Sequence, residues 1–151
     1  NTTLSPERFS NFDGILQHNL MVAFAVAVLV FVYRGHAFLL SLAWNAAVWG
    51  VVLTLMVLQT YAQSVLSPAA FISISLVALL PHLVLEILGY IVCALTFVGI
   101  SRAYLWYGPS LRFLRDLRQR WRGLSVALSC LLIGATLEAY WAPRVLRMVL
   151  G

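Results

Sequence analysis

The chain has 151 residues, 62% of them hydrophobic and 10% charged, with a mean hydropathy of +0.93. A soluble domain carries charge on roughly a quarter of its residues, so this composition excludes one and points to an integral membrane protein. The net charge of +5 comes from ten arginines and no lysine, five of them between Arg112 and Arg122. That distribution suits anchoring on a cytoplasmic membrane face and contact with anionic lipid, not nucleic-acid binding.

Each membrane span needs about 20 apolar residues, so the length allows about four spans in a single domain covering residues 1–151. Residues 15–33 are predicted as the first span, closed by Arg34-Gly35-His36, and 37 to about 60 as the second. Residues 61–68 form a polar, uncharged turn in which Ser67-Pro68 fits an N-cap followed by proline at the first helical position. From 69 to 105 the chain stays apolar. One straight helix of that length would measure roughly 55 Å against a hydrocarbon core of about 30 Å, so it must break or leave the membrane. Pro81, which lacks an amide and clashes with the preceding turn, is the natural break. It leaves a short piece, 69–80, and a full-length one, 81–104.

Gly108-Pro109 ends the apolar stretch. Residues 111–122 read as an amphipathic helix with Leu111, Leu114, Leu117 and Trp121 on one side. Arg112, Arg115, Arg118 and Arg122 on its other side are expected to reach lipid headgroups, as arginines on interfacial helices do. Residues 123–142 form the last span, closed by Pro143. The expected fold is an all-α polytopic transmembrane bundle with a helix broken near Pro81 and a basic interfacial helix. The arginines place Arg34 and the 102–122 cluster on the cytoplasmic side, in a multi-pass protein of the inner membrane. Arg144 and Arg147 then fall outside, against the rule, and the heavier cluster decides.

Between Arg34 and Arg102 one residue is formally charged, Glu86. A charged side chain at mid-bilayer costs roughly 2.5 to 3.5 kcal/mol on insertion scales, so it faces a bundle interior or a wet cavity, usually with a partner. His82 precedes Glu86 by four residues and shares its helix face. Glu138, late in the last span, supplies a second carboxylate. Asn19 and Asn45 complete the candidate cluster, because an amide can bridge a carboxylate and an imidazole as donor and acceptor.

Several readings of the cluster compete. His82, Glu86 and Glu138 are chemically reasonable zinc ligands, but their spacing matches no zinc signature. An acid–base pair of an intramembrane hydrolase lacks a nucleophile at helical spacing from the histidine. A buried hydrogen-bonded knot that locks helix packing is the preferred reading, with a polar pathway for an ion or solute as the alternative. No metal or cofactor is expected. Cys93 and Cys130 lie in apolar runs without metal-ligand spacing and read as buried thiols.

The run Leu80-Pro81-His82-Leu83-Val84-Leu85-Glu86-Ile87-Leu88 resembles the Pro-His-Gly-x-x-Glu-Leu-Pro signature of the stage II sporulation protein M family of membrane proteins. Asn19 in His18-Asn19-Leu20-Met21 resembles the family's Asn before its first typical span, and Trp44-Asn45-Ala46-Ala47-Val48-Trp49-Gly50 its Asn-Gly-x-x-x-Gly element. Leu137-Glu138-Ala139-Tyr140-Trp141-Ala142-Pro143 is similar to its terminal Glu-Ala/Gly-aromatic-x-x-Pro. Leu83, Ala46 and Ile87-Leu88 depart from the pattern. The resemblance implies a non-enzymatic scaffold or assembly subunit of an envelope complex. Its partners would be other membrane or envelope proteins, among them peptidoglycan-remodelling enzymes; separately, small residues such as Gly89, Cys93, Gly99, Ala43 and Ala47 permit close helix contacts, within one chain or between copies of it. The resemblance also implies a further span upstream of Asn19, which fits a start at Asn1 without methionine.

Overall fold

The computed structural model describes residues 12–33, residues 66–150 and, between them, Leu39, Ala43, Ala46, Ala47, Gly50, Val51, Thr54, Leu55, Leu58 and Tyr61. The elements in order are α1 (Phe12–Tyr33), α2 (Pro68–Tyr107), α3 (Leu111–Thr136), a π-helical turn (Leu137–Trp141) and α4 (Ala142–Leu150). No strand occurs among the described residues. Three stretches, α1, α2 and Leu111–Arg147, are long and apolar enough to cross a membrane. The positions described between 39 and 61 are helical and exposed. Arg34, Asn45 and most of the expected second span lie outside the described residues.

Side-chain contacts set the helix directions. Asn19 meets Glu86 and Tyr90, Ala23 meets Cys93, and Phe31 meets Ser101 and Tyr104. Residue numbers rise together along both helices, so α1 and α2 run parallel. Against α3 they run in opposition: Glu86 lies against Gly134, Gly89 against Leu131 and Ala127, Thr96 against Gly123 and Gly99 against Arg120. Chain direction therefore alternates between α2 and α3 but repeats between α1 and α2.

Lipid tails are as apolar as leucine, so burying apolar surface does not drive such helices together; close packing and interhelical hydrogen bonds do. The buried positions are accordingly small: Ala78, Ala94 and Ala103 on α2, Ala127 and Ala135 on α3, Ala139 and Ala142 beyond it. Val26 and Val30 of α1 pack on Ala94, while Ala27, Cys93 and Ala127 bring all three helices to one point. A Cβ on Gly89 would stand 2.9 Å from Leu131 Cδ2, and one on Gly123 would collide with Thr96 Oγ1. Bulky side chains such as Leu76, Leu80, Ile87 and Leu95 point outward, where acyl chains solvate them.

Helix ends follow local chemistry. Ser67 caps α2 by accepting from the Ala70 amide at 3.4 Å, with Pro68 in the first turn. Gly108, at φ +56°, closes α2 by donating its amide to the Tyr104 carbonyl at 2.8 Å, a left-handed conformation that costs glycine nothing. Ser110 then caps α3 by accepting from the Phe113 amide at 3.4 Å.

The structure corrects three expected boundaries. α2 is not broken at Pro81 but runs through it. Proline removes one donor, the amide that would have served the Val77 carbonyl four residues earlier. The indole Nε1–H of Trp141 donates to that same carbonyl at 3.4 Å. Within a bilayer, neighbouring helices satisfy freed backbone groups in this way. At 40 residues, or about 60 Å, α2 overshoots the hydrocarbon core instead of dividing inside it.

Residues 111–122 are likewise not a separate helix, since α3 continues through Gly123 to Thr136. A glycine in a helix interior costs about 1 kcal/mol, but this one admits Thr96 and is bracketed by packing on both sides. Nor does Pro143 end the last helix. It sits in the first turn of α4, where a missing amide is tolerated, directly after the π turn whose last bond joins the Ala142 amide to the Leu137 carbonyl.

Candidate polar site in the helix bundle

His82, Glu86 and Tyr90 follow one another at intervals of four residues on α2, which stacks them on one face. All three are buried, His82 and Glu86 to 1% exposure. Opposite them, 2% exposed, is Asn19 of α1. Its Nδ2 donates to Glu86 Oε1 at 2.6 Å, and its Oδ1 accepts from the Tyr90 hydroxyl at 3.2 Å. One amide thus uses both its donor and its acceptor to tie α1 to two successive turns of α2. The pair of bonds also fixes which way the amide faces. Interhelical hydrogen bonds in bilayers contribute about 0.6 kcal/mol on average. Leaving such groups buried without partners costs more, about 1–3 kcal/mol each.

The other wall is α3. A Cβ on Gly134 would stand 3.2 Å from Glu86 Cγ and 3.5 Å from the His82 carbonyl oxygen. The glycine therefore lets the α3 backbone rest directly on the His82–Glu86 turn. Glu138 lies one turn beyond Gly134 and is half-buried within the π turn. The antiparallel register sets it level with Pro81 and His82. π turns interrupt helices mostly as single turns and are frequent at functional sites. Glu86 Oε2 is buried and accepts no hydrogen bond among the described residues.

Asn19, His82 and Glu86 are therefore brought together with Gly134 between α1, α2 and α3, and Glu138 flanks them. Asn45 lies outside the described residues. The amide of Asn19 bridges a carboxylate and a phenol, where the sequence suggested a carboxylate and an imidazole. Tyr90 was missed, although it continues the interval of four that joins His82 to Glu86. Gly134 and Trp141 were missed as well, because their roles come from which turn of α2 they face. Among the described residues no three His, Cys, Asp or Glu side chains gather closely enough to hold a metal ion.

The second group of candidate residues sits at the far end of α2. Arg112, Arg115, Arg118 and Arg122 are all exposed along the first turns of α3. Arg120 behaves differently: its Nε donates to Asp116 Oδ2 at 2.6 Å, and its guanidinium lies over Gly99.

These features define a multi-pass, all-α membrane protein whose helices are joined by buried polar side chains. The family model for stage II sporulation protein M matches residues 1–143, and the chain belongs to that family. No curated protein and no solved structure matches it.

Proposed function

We propose that this chain is a non-enzymatic scaffold or assembly subunit of a cell-envelope complex, set in the cytoplasmic membrane with Arg112–Arg122 facing the cytoplasm. The observation that carries the reading is the Asn19 amide, whose two ends are both spent on holding α1 against α2. Polar groups used up in this way fix the spacing and rotation of helices. A fixed helical frame is what a protein needs if its outer surface is to present partners, such as peptidoglycan-remodelling enzymes or further copies of itself, in one geometry.

The test is purification from the native membrane in mild detergent, with identification of the copurifying envelope proteins for the wild type, E86Q and N19A. Glutamine at position 86 can still accept from Asn19, so E86Q should retain the same partners in the same ratio. N19A, which removes both bonds, should lose them. Loss of function in E86Q with folding and partners unchanged would count against a scaffold.

A second reading, movement of an ion or solute past Glu86 and Glu138, draws on the buried Glu86 Oε2 and on Glu138 in the turn that follows Gly134. Flux in proteoliposomes that is present in the wild type and abolished by E86Q would favour it.

A further inference from the structure

Where α2 turns into α3, the chain carries a concentration of features unrelated to the Asn19 network. Three residues, Gly108, Pro109 and Ser110, make the corner, held by the Gly108 and Ser110 backbone bonds at 2.8 and 2.9 Å. Just outside it a hollow of about 270 Å³ is lined by Tyr107, Arg112, Arg115, Asp116 and Gln119. Two guanidinium groups, a phenol and a carboxamide there offer hydrogen-bond donors to an anion. Asp116 would oppose an anion, but Arg120 already pairs with its carboxylate at 2.6 Å. Arg112 and Arg115 have no such ion pair among the described residues.

Two residues that adjoin the lining in sequence are apolar and exposed: Trp106, next to Tyr107, is 83% exposed and Leu111, next to Arg112, 85%. Side chains of that kind beside arginines match the boundary between acyl chains and headgroups, where tryptophan gathers and arginine reaches phosphate. A free phosphate ion would satisfy the arginines and leave Trp106 and Leu111 in water. A phospholipid satisfies both, with its phosphate on the arginines and its chains along the apolar residues.

We infer that the α2–α3 corner is a binding site for one anionic phospholipid, whose headgroup phosphate is held by Arg112 and Arg115 with Tyr107 and Gln119 beside them. The site is distinct from a diffuse attraction of the basic stripe for the membrane, because it depends on the two arginines that line the hollow and not on total charge.

Native mass spectrometry of the full-length chain released from detergent, titrated with phosphatidylglycerol or with phosphatidylcholine, tests the assignment. The wild type should retain one phosphatidylglycerol with a preference of about tenfold or more over phosphatidylcholine, as expected for two arginines at an anionic headgroup. R112Q/R115Q should abolish that preference. R144Q/R147Q, which removes the same charge elsewhere, should keep it. All four positions are exposed, and thermal unfolding of each variant confirms that it is folded. Equal retention of the two lipids by the wild type, or equal loss of preference in both double variants, would overturn the site. Displacement of the bound lipid by inorganic phosphate would instead make it a site for the free anion and overturn the lipid assignment.

Discussion

The indole of Trp141 donates to the Val77 carbonyl, the one acceptor that Pro81 deprives of its own helical amide. Sequence positions 64 apart are thereby linked at a carbonyl that a proline leaves without its helical donor. W141F should destabilise the folded protein by about 0.5–1 kcal/mol, the usual worth of such a bond. In the P81A background the carbonyl regains an intrahelical partner, so W141F should cost close to nothing. A double-mutant cycle measured by SDS-induced unfolding in mixed micelles checks this; equal costs in the two backgrounds would refute the coupling.

Around Asn19 the order of effects is fixed by how many groups each change leaves unpaired. N19A strands both Glu86 Oε1 and the Tyr90 hydroxyl and should cost about 2–3 kcal/mol. Y90F removes only the longer bond, at 3.2 Å, and should cost under about 1 kcal/mol. E86Q keeps an acceptor for the Asn19 amide and should fall near Y90F. The same unfolding assay ranks the three.

Two glycines on opposite sides of the α2–α3 interface should respond differently to alanine. At Gly123 the obstacle is Thr96, a short side chain that is buried and donates to its own Val92 carbonyl at 2.7 Å. G123A should therefore cost about 1–3 kcal/mol through overpacking, and T96A should recover most of it. At Gly99 the obstacle is the far end of Arg120, which can swing away with loss of its partly exposed pair to Asp116. G99A should cost well under 1 kcal/mol, close to the worth of such a pair.

Helix direction is open to labelling. Phe31 meets Tyr104 with tilted rings at one end of the bundle, and Phe12 stacks on Tyr140 at the other. In a chain whose two native cysteines are replaced by serine, Y33C and L111C should react with an impermeant maleimide from one side of the membrane. S67C should react from the other. If the proposed orientation holds, the first side is the cytoplasmic one, as the arginine distribution predicts.

Composition alone revealed the membrane class, since hydropathy is a property of the whole chain and survives errors about individual residues. The face shared by His82 and Glu86 was legible from helical spacing. What escaped was whatever depends on a partner helix. Pro81 reads as a break when α2 is considered alone, because nothing near it in sequence can serve the Val77 carbonyl. Gly123 reads as the start of a span, since an interior glycine carries a local cost and the compensating contact with Thr96 is supplied from 27 positions away. Tyr90 was within reach of the spacing rule, but tyrosines in spans are common enough that only its bond to Asn19 distinguishes it.

The parallel course of α1 and α2 has a consequence for how the protein is made. Asn19 emerges from the ribosome 67 residues before Glu86, roughly 3–13 s earlier at ordinary elongation rates of about 5–20 residues per second. During that interval the carboxylate that the Asn19 amide meets in the folded protein has not yet been made. The bond between α1 and α2 can therefore close only after the first half of α2 has been synthesised. Anything that shortens residence of the early helix at the insertion machinery should expose the amide to quality control before its carboxylate arrives.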